Sequence, residues 1–148
     1  MIEAILFDLA ALVESWDADE VTLYPDVPLT LLPLREQCSL GVISRHATAP
    51  EVLARVGLSH LFDAVVVVPE KAGQPGKSDF LRALKEMRAT AEDTLYVGAA
   101  LEAGLGAARQ AGLKVALLSR GQVPASALPA DCLLIHTVEE LQALLLES

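Results

Sequence analysis

The chain has 148 residues, of which 20 are Asp or Glu and 11 are Lys or Arg, so it is acidic, with a formal net charge of −9. Hydrophobic residues make up 53% and aromatic residues 4%. This composition is too apolar for a disordered chain, and the length suits one domain, residues 1–148. The acidic balance also argues against nucleic-acid binding, because phosphate backbones attract surfaces rich in Lys and Arg.

Short apolar runs alternate with helix-like segments along the chain. The predicted strands are Ile2–Asp8, Leu40–Ser44, Ala64–Val68, Thr94–Gly98 and Lys114–Ser119, with a sixth edge strand at Cys132–Ile135. The predicted helices are Pro28–Gln37, Ala49–Val56, Ser78–Arg88, Leu101–Ala111 and Val138–Leu146. Because the strand runs are continuously apolar, we expect both sheet faces to be covered. This predicts an α/β fold, a doubly wound parallel sheet of five to six strands with helices on both faces.

Four segments at strand ends together resemble the haloacid dehalogenase (HAD) superfamily, whose members are mostly phosphatases. Ile5–Val13 is similar to its hhhhDxDGT motif, in which h is hydrophobic, and Leu40–Ser44 to its strand that ends in Ser or Thr. Gly76–Phe80 is similar to its Lys before a helix, and Leu95–Gly112 to its VGDxxxxD…AAxxAG signature. The resemblance implies the HAD-like Rossmannoid core over nearly the whole chain.

The resemblance also implies roles for individual residues. Asp8 matches the nucleophile that attacks phosphorus, and Ser44 and Lys77 match the residues that bind the phosphoryl group. Lys71 is an alternative position for the family lysine, because the register of the loop Pro69–Gly76 is open. Ligand sites of doubly wound sheets lie outside the carboxyl ends of the strands, where these residues fall.

Three positions that carry carboxylates in the family hold other residues here. The general acid and base falls at Ala10, and the acids that help to hold Mg²⁺ fall at Ala99 and Gly104. Mg²⁺ needs several oxygen ligands, so Asp8 alone is a weak site, and losing a positioned general acid costs about 10²–10⁴-fold in rate. Glu102 could substitute, although a solvated acid in a first helical turn is the simpler interpretation.

The sequence is therefore compatible with two functions. The favoured one is a pseudoenzyme, a catalytically impaired or inactive HAD homologue without a cofactor, which retains a pocket for a small phosphate or other anion at Asp8, Ser44 and Lys77. The alternative is an active phosphomonoester phosphatase with Asp8 as nucleophile and Mg²⁺ as cofactor. Metal-free dehalogenase chemistry is disfavoured, because no cap insertion between Gly57 and Lys77 could enclose a small substrate.

Three residues outside the motifs lie close to them in the sequence. Arg45 and His46 follow Ser44 and could add positive potential at the mouth of the site, whereas Trp16 is expected to pack over the sheet. The stretch Lys71–Ser78 approaches a nucleotide-binding P-loop, but Lys71 stands where that loop needs glycine.

The sequence also gives expectations about location and partners. No apolar run approaches the roughly 18–20 residues of a membrane helix, and Met1–Ala4 carries an acid where a secretory signal would be positive. Cys38 and Cys132 lack metal-ligand spacing and are expected to be reduced thiols. We therefore expect a cytoplasmic protein that has no nucleic-acid or membrane partner, and whose partner is a small anion, a second copy or another protein.

Overall fold

The computed structural model of the protein describes residues 2–17, 19–69, 75–100, 104–120, 128 and 131–147. The strands are β1 Ala4–Asp8, β2 Val13–Trp16, β3 Val21–Leu23, β4 Ser39–Ser44, β5 Ala64–Val67, β6 Thr94–Gly98, β7 Lys114–Leu118 and β8 Cys132–Ile135. The helices are α1 Leu9–Leu12, α2 Val27–Gln37, α3 Ala49–Arg55, α4 Lys77–Met87, α5 Leu105–Gln110 and α6 Glu140–Glu147.

The main sheet has six parallel strands in the order β5-β4-β1-β6-β7-β8. This confirms the predicted doubly wound α/β fold, with Cys132–Ile135 as an edge strand. The chain builds β4 and β5 on one side of β1, and then crosses to the other side to build β6, β7 and β8. The carboxyl ends of β1, β4 and β6 therefore flank the point where the winding reverses, which is where such sheets bind ligands.

Helices cover both faces of this sheet, which is why its strands are apolar throughout. In β1, Ile5 and Phe7 join the core that α2, α3 and α6 cover, whereas Leu6 joins the opposite core with Phe80 of α4 and Leu105 of α5. The alternation follows from the period of two along a strand. Because side chains of β1 are packed on both faces of the sheet, the strand cannot shift along its own direction. Its last residue is therefore held at the carboxyl edge of the sheet.

An antiparallel hairpin of β2 and β3 follows α1, and the sequence analysis did not predict it. Of its residues, Val13 is buried, while the others are partly or fully exposed, so no apolar run marks these strands. The hairpin occupies the stretch between the first motif and α2. Among the described residues there is no inserted cap domain.

Two helices begin later than the sequence pattern predicts. Helix α5 begins at Leu105 rather than Leu101, because Gly104 adopts a left-handed φ of +85° at its N-cap; residues 101–103 of the predicted helix lie outside the described residues. Helix α6 begins at Glu140 rather than Val138, and its Glu140 carboxylate accepts hydrogen bonds from the two backbone amides of residues 136 and 137. Within the described part of the chain, no helix has the length and apolar character that a membrane crossing requires.

Candidate functional site

A cleft of about 460 Å³ opens at the carboxyl ends of β1, β4 and β6. Its lining consists of Asp8, Ala10, Tyr24, Ile43, Ser44, Arg45, His46, Pro75, Tyr96, Ala99 and Ala100. The structure therefore brings Asp8 and Ser44 together with two positions at which the resemblance expects acids, 10 and 99. This cleft is the candidate site.

Asp8 is the half-buried last residue of β1 and the N-cap of α1. Its Oδ1 accepts a hydrogen bond from the backbone N–H of Ala10 at 3.3 Å, and the amide of Ala99 also donates to the carboxylate. Burial raises the pKa of Asp8 above its ordinary value, although these amides and the positive charges of His46 and Arg45 oppose the rise. The fold thus holds the ionised carboxylate at a net cost in free energy.

Asp8→Asn is expected to raise the melting temperature at neutral pH, by about 2–4 °C for each kcal/mol of desolvation that it removes. Because the pKa of Asp8 is raised in the folded state, its ionisation destabilises the fold above that pKa. The advantage of the neutral amide should therefore shrink as the pH falls through the raised pKa. Thermal melts across this acidic range measure it.

Asp19→Asn is the matched control, since Asp19 is exposed and surface substitutions usually change stability by less than about 0.5 kcal/mol. If Asp8→Asn instead lowered the melting temperature at neutral pH, the amides of Ala10 and Ala99 would stabilise the ionised form by more than burial destabilises it.

Ser44 ends β4 with only 2% of its surface exposed. Its Oγ accepts a hydrogen bond from the backbone N–H of His46 at 3.0 Å. A hydroxyl that accepts in this way keeps its O–H for donation to a ligand oxygen. Ser44 therefore both shapes the turn after β4 and faces the cleft.

Of the two candidate lysines, Lys77 is among the described residues. Lys77 begins α4 with an exposed side chain and is not among the lining residues. The backbone N–H of Gly76, at the start of that helix, donates to the Asp79 carboxylate at 2.9 Å. Lys71 and Glu102 lie outside the described residues. Phosphate binding by either lysine therefore stays a prediction.

Gly104 differs from the other two positions at which the resemblance expects acids. Its φ is +85°, and a Cβ built on it would lie 3.1 Å from the carbonyl oxygen of Pro75 and 3.3 Å from the ring of Phe80. A left-handed backbone disfavours any side chain with a Cβ, and backbone atoms are poorly placed to yield. Ala10 and Ala99 thus line the cleft, whereas position 104 is crowded.

The donor atoms of the described cleft lining do not by themselves fit Mg²⁺. Mg²⁺ is bound by oxygen ligands, usually one or two carboxylates with substrate phosphate and water. Among the described lining residues, Asp8 supplies a carboxylate and positions 10 and 99 supply methyl groups. Nowhere in the described parts of the chain do three or more His, Cys, Asp or Glu side chains converge as a metal site.

Arg45 and His46 line the cleft directly after Ser44, as the sequence analysis suggested. The ring of His46 lies against Trp16 of the hairpin, with ring centres 4.9 Å apart and planes at 79°. Trp16 is partly buried on the core that contains Phe7. The expected packing of Trp16 over the sheet is therefore combined with a contact to the cleft, which local sequence does not reveal.

Two tyrosines in the lining were missed by the sequence analysis. Tyr96 is fully buried in β6, where burial raises the pKa of its phenol well above the usual value, so it stays protonated. Tyr24 lies under the guanidinium of Arg120, 3.6 Å from the ring centre. The position of Tyr96, two residues before the end of a central strand, was the available signal.

Arg120 connects the wall of the cleft to the far half of the sheet. Its Nη1 lies 2.8 Å from the Asp26 carboxylate, and its Nη2 donates to the carbonyl of Ala11 at 3.3 Å. Asp26 also accepts from the amide of Val138 at 2.6 Å. Burial alone would raise the pKa of Asp26, but the Val138 amide and Arg120 outweigh it and lower that pKa. The network holds Tyr24 and the turn after β1 in fixed positions.

Comparisons with known proteins agree with this architecture. The family model of haloacid dehalogenase-like hydrolases matches residues 2–112. The glyceraldehyde 3-phosphate phosphatase of Methanopyrus kandleri is 32% identical over 103 residues, which cover 67% of this chain and 44% of that protein. The chain therefore spans less than half of the length of this curated relative.

Solved structures of the same family superpose on the chain. The 2-haloacid dehalogenase from Pseudomonas syringae gives a TM-score of 0.81 at 18% identity and covers 99% of both chains. The HAD phosphatase from Thermococcus onnurineus gives 0.74 at 25% identity, over 84% of this chain and 59% of that one. The fold of these structures agrees with the six-stranded parallel sheet, and the family model that matches residues 2–112 shows that the chain belongs to the haloacid dehalogenase-like hydrolase family.

Proposed function

We propose that the chain binds a small phosphate-bearing anion in this cleft and has lost the metal-dependent phosphoryl transfer of its family. One observation carries the proposal. Among its described lining residues, the cleft combines a buried hydroxyl and two basic side chains with a single carboxylate, while methyl groups stand at positions 10 and 99.

The chemistry of the lining favours binding over turnover. A carboxylate that attacks a phosphate dianion meets like-charge repulsion, which a metal ion would normally relieve. An alanine methyl group at position 10 cannot deliver a proton to a leaving group.

An active phosphomonoester phosphatase is the second candidate. It is favoured by Asp8, which stands in the cleft at the position of the family nucleophile, and by the relative at 32% identity, which is named a phosphatase. It requires that residues other than those at positions 10, 99 and 104 act as acid and metal ligands.

Phosphate release from p-nitrophenyl phosphate in the presence of Mg²⁺ decides between the two. We expect the wild-type chain to release phosphate no faster than Asp8→Asn, because both lack a general acid at position 10. Inorganic phosphate should nevertheless raise the melting temperature of the wild-type chain, since a ligand that binds only the folded state stabilises it.

Turnover by the wild-type chain that disappears in Asp8→Asn would establish the active phosphatase. The absence of any stabilisation by phosphate would refute the binding site. Sodium chloride at equal ionic strength is the control, because general screening of the −9 net charge also changes stability.

A further inference from the structure

We propose that Arg45 and His46 form a metal-independent oxyanion site in this cleft, with Trp16 of the hairpin as the residue that positions His46. The inference rests on the proposed function and assigns the residues that carry it. In this arrangement the guanidinium of Arg45, with its positive charge, and the imidazole of His46, as a hydrogen-bond donor, take the place that a metal ion has at phosphate in other sites.

The first support is the placement of the two side chains. Both line the cleft that contains Asp8 and Ser44. They reach it because β4 ends at Ser44 and the chain turns at once, with the amide of His46 donating to Ser44 Oγ at 3.0 Å. The carbonyl of His46 accepts from the amide of Ala49 at 3.0 Å. This turn is hydrogen-bonded on both sides of His46, so its position is fixed.

The second support is electrostatic. The charges of His46 and Arg45 both act on the Asp8 carboxylate and favour its ionised form. Their positive potential therefore extends to the floor of the cleft, where a bound oxyanion would lie beside Asp8. A guanidinium binds phosphate or carboxylate oxygens with two parallel N–H groups, so Arg45 suits an anion with several oxygens.

The third support is the contact between His46 and Trp16. An edge-to-face pair at 4.9 Å restricts the orientation of the imidazole. Trp16 is itself partly buried against the core that contains Phe7 and Leu12, so the hairpin supports the His46 side chain with a packed residue.

The test uses the full chain and inorganic phosphate, with excess EDTA present throughout. Trp16 is the single tryptophan of the chain, so selectively excited indole fluorescence reports directly on the surroundings of His46. Calorimetric titration gives the affinity independently of that signal. Wild-type protein should bind phosphate saturably in EDTA, with a fluorescence change and with no gain in affinity when Mg²⁺ replaces EDTA.

Arg45→Gln and His46→Gln should each weaken phosphate binding by about 10–100-fold, the effect of losing one charge-assisted hydrogen bond. Arg45→Lys should retain part of the affinity, because it keeps the charge and loses the paired N–H geometry. Trp16→Phe, followed by calorimetry, should weaken binding less than His46→Gln does, since an aromatic ring still supports the imidazole.

Control variants remove a basic side chain or a histidine elsewhere. Lys114→Gln and His60→Gln take a basic side chain from exposed positions, and phosphate affinity should stay within about two-fold of wild type. Melting curves of all variants establish that each is folded; Arg45 is exposed, so its replacement disturbs no core packing.

The outcomes separate the inference from the function on which it rests. No phosphate binding by wild-type protein would overturn both. Wild-type binding in EDTA that survives unchanged in Arg45→Gln and His46→Gln would overturn the inference and leave the proposed function standing. Binding that needs Mg²⁺ would also overturn the inference, because the two side chains would then be insufficient.

Discussion

The double substitution Ala10→Asp with Ala99→Asp is expected to create a Mg²⁺ site in a chain whose cleft has one carboxylate in its described lining. At a Mg²⁺ concentration 100-fold above the dissociation constant, binding to the folded state contributes about 2.7 kcal/mol. For a chain of this size that corresponds to a rise in melting temperature of about 5–10 °C. Thermal melts with and without Mg²⁺ measure it.

The positions of the two alanines give the physical reason. The backbone amides of Ala10 and Ala99 both donate to the Asp8 carboxylate, and both residues line the cleft. Carboxylates introduced at these positions would therefore project into the same space as Asp8. Three carboxylates with water, and with phosphate when it is present, supply the oxygen ligands that Mg²⁺ prefers.

Hydrolysis provides a second measurement on the same variant. A carboxylate at position 10 is placed two residues after Asp8, as the general acid is in the resembled motif. Phosphate release from p-nitrophenyl phosphate should then rise above the wild-type level, by up to about 10²–10⁴-fold. Adding Asp8→Asn to the double variant should abolish that gain and weaken the Mg²⁺ effect.

The control variant carries Ala54→Asp and Gln110→Asp, which add the same two charges at exposed positions. Its melting temperature should not respond to Mg²⁺ beyond the wild-type response. A folded Ala10→Asp and Ala99→Asp variant that also fails to respond would contradict the assignment of this cleft to the metal site of the family.

The sheet and the centre of the site could be predicted because they depend on regular chain properties. Continuous apolar runs identified all six strands of the main sheet, and Asp8 and Ser44 could be paired because parallel strands end at one edge. The residues that end β1 and β4 are therefore set by sequence register alone. The other side chains that meet Asp8 and Ser44 in the cleft are not set by register alone.

The hairpin, its contact with His46 and the Arg120 network could not be predicted, because each depends on long-range packing. Trp16 and His46 are separated by thirty residues and meet only once the hairpin has packed against the rest of the fold. Arg120 and Asp26 are 94 residues apart, and neither lies in a motif. Short, half-exposed strands carry little apolar pattern, so their pairing leaves no local signal.

The resemblance expects an acid at position 104, but sequence comparison does not show how crowded that position is. Gly104→Ala is expected to lower the free energy of unfolding by about 2–4 kcal/mol, combining a left-handed backbone with overpacking. Its Cβ would lie 3.1 Å from the carbonyl oxygen of Pro75 and 3.3 Å from the Phe80 ring. Denaturant unfolding measures the loss. This crowding is why the designed Mg²⁺ site uses positions 10 and 99 and leaves position 104 unchanged.

Two other glycines separate the causes of that loss. Gly57 has a φ of +74° but no atom within 4 Å of a built Cβ, so Gly57→Ala should cost only the backbone contribution of about 1–2 kcal/mol. Gly106 lies in α5, also with open space, so Gly106→Ala should stabilise by about 0.5–1 kcal/mol. Equal losses in the free energy of unfolding for Gly104→Ala and Gly57→Ala would mean that Pro75 and Phe80 move away from the new Cβ without a cost in free energy. An acid at position 104 would then be admissible, and the reconstructed site could include all three carboxylates.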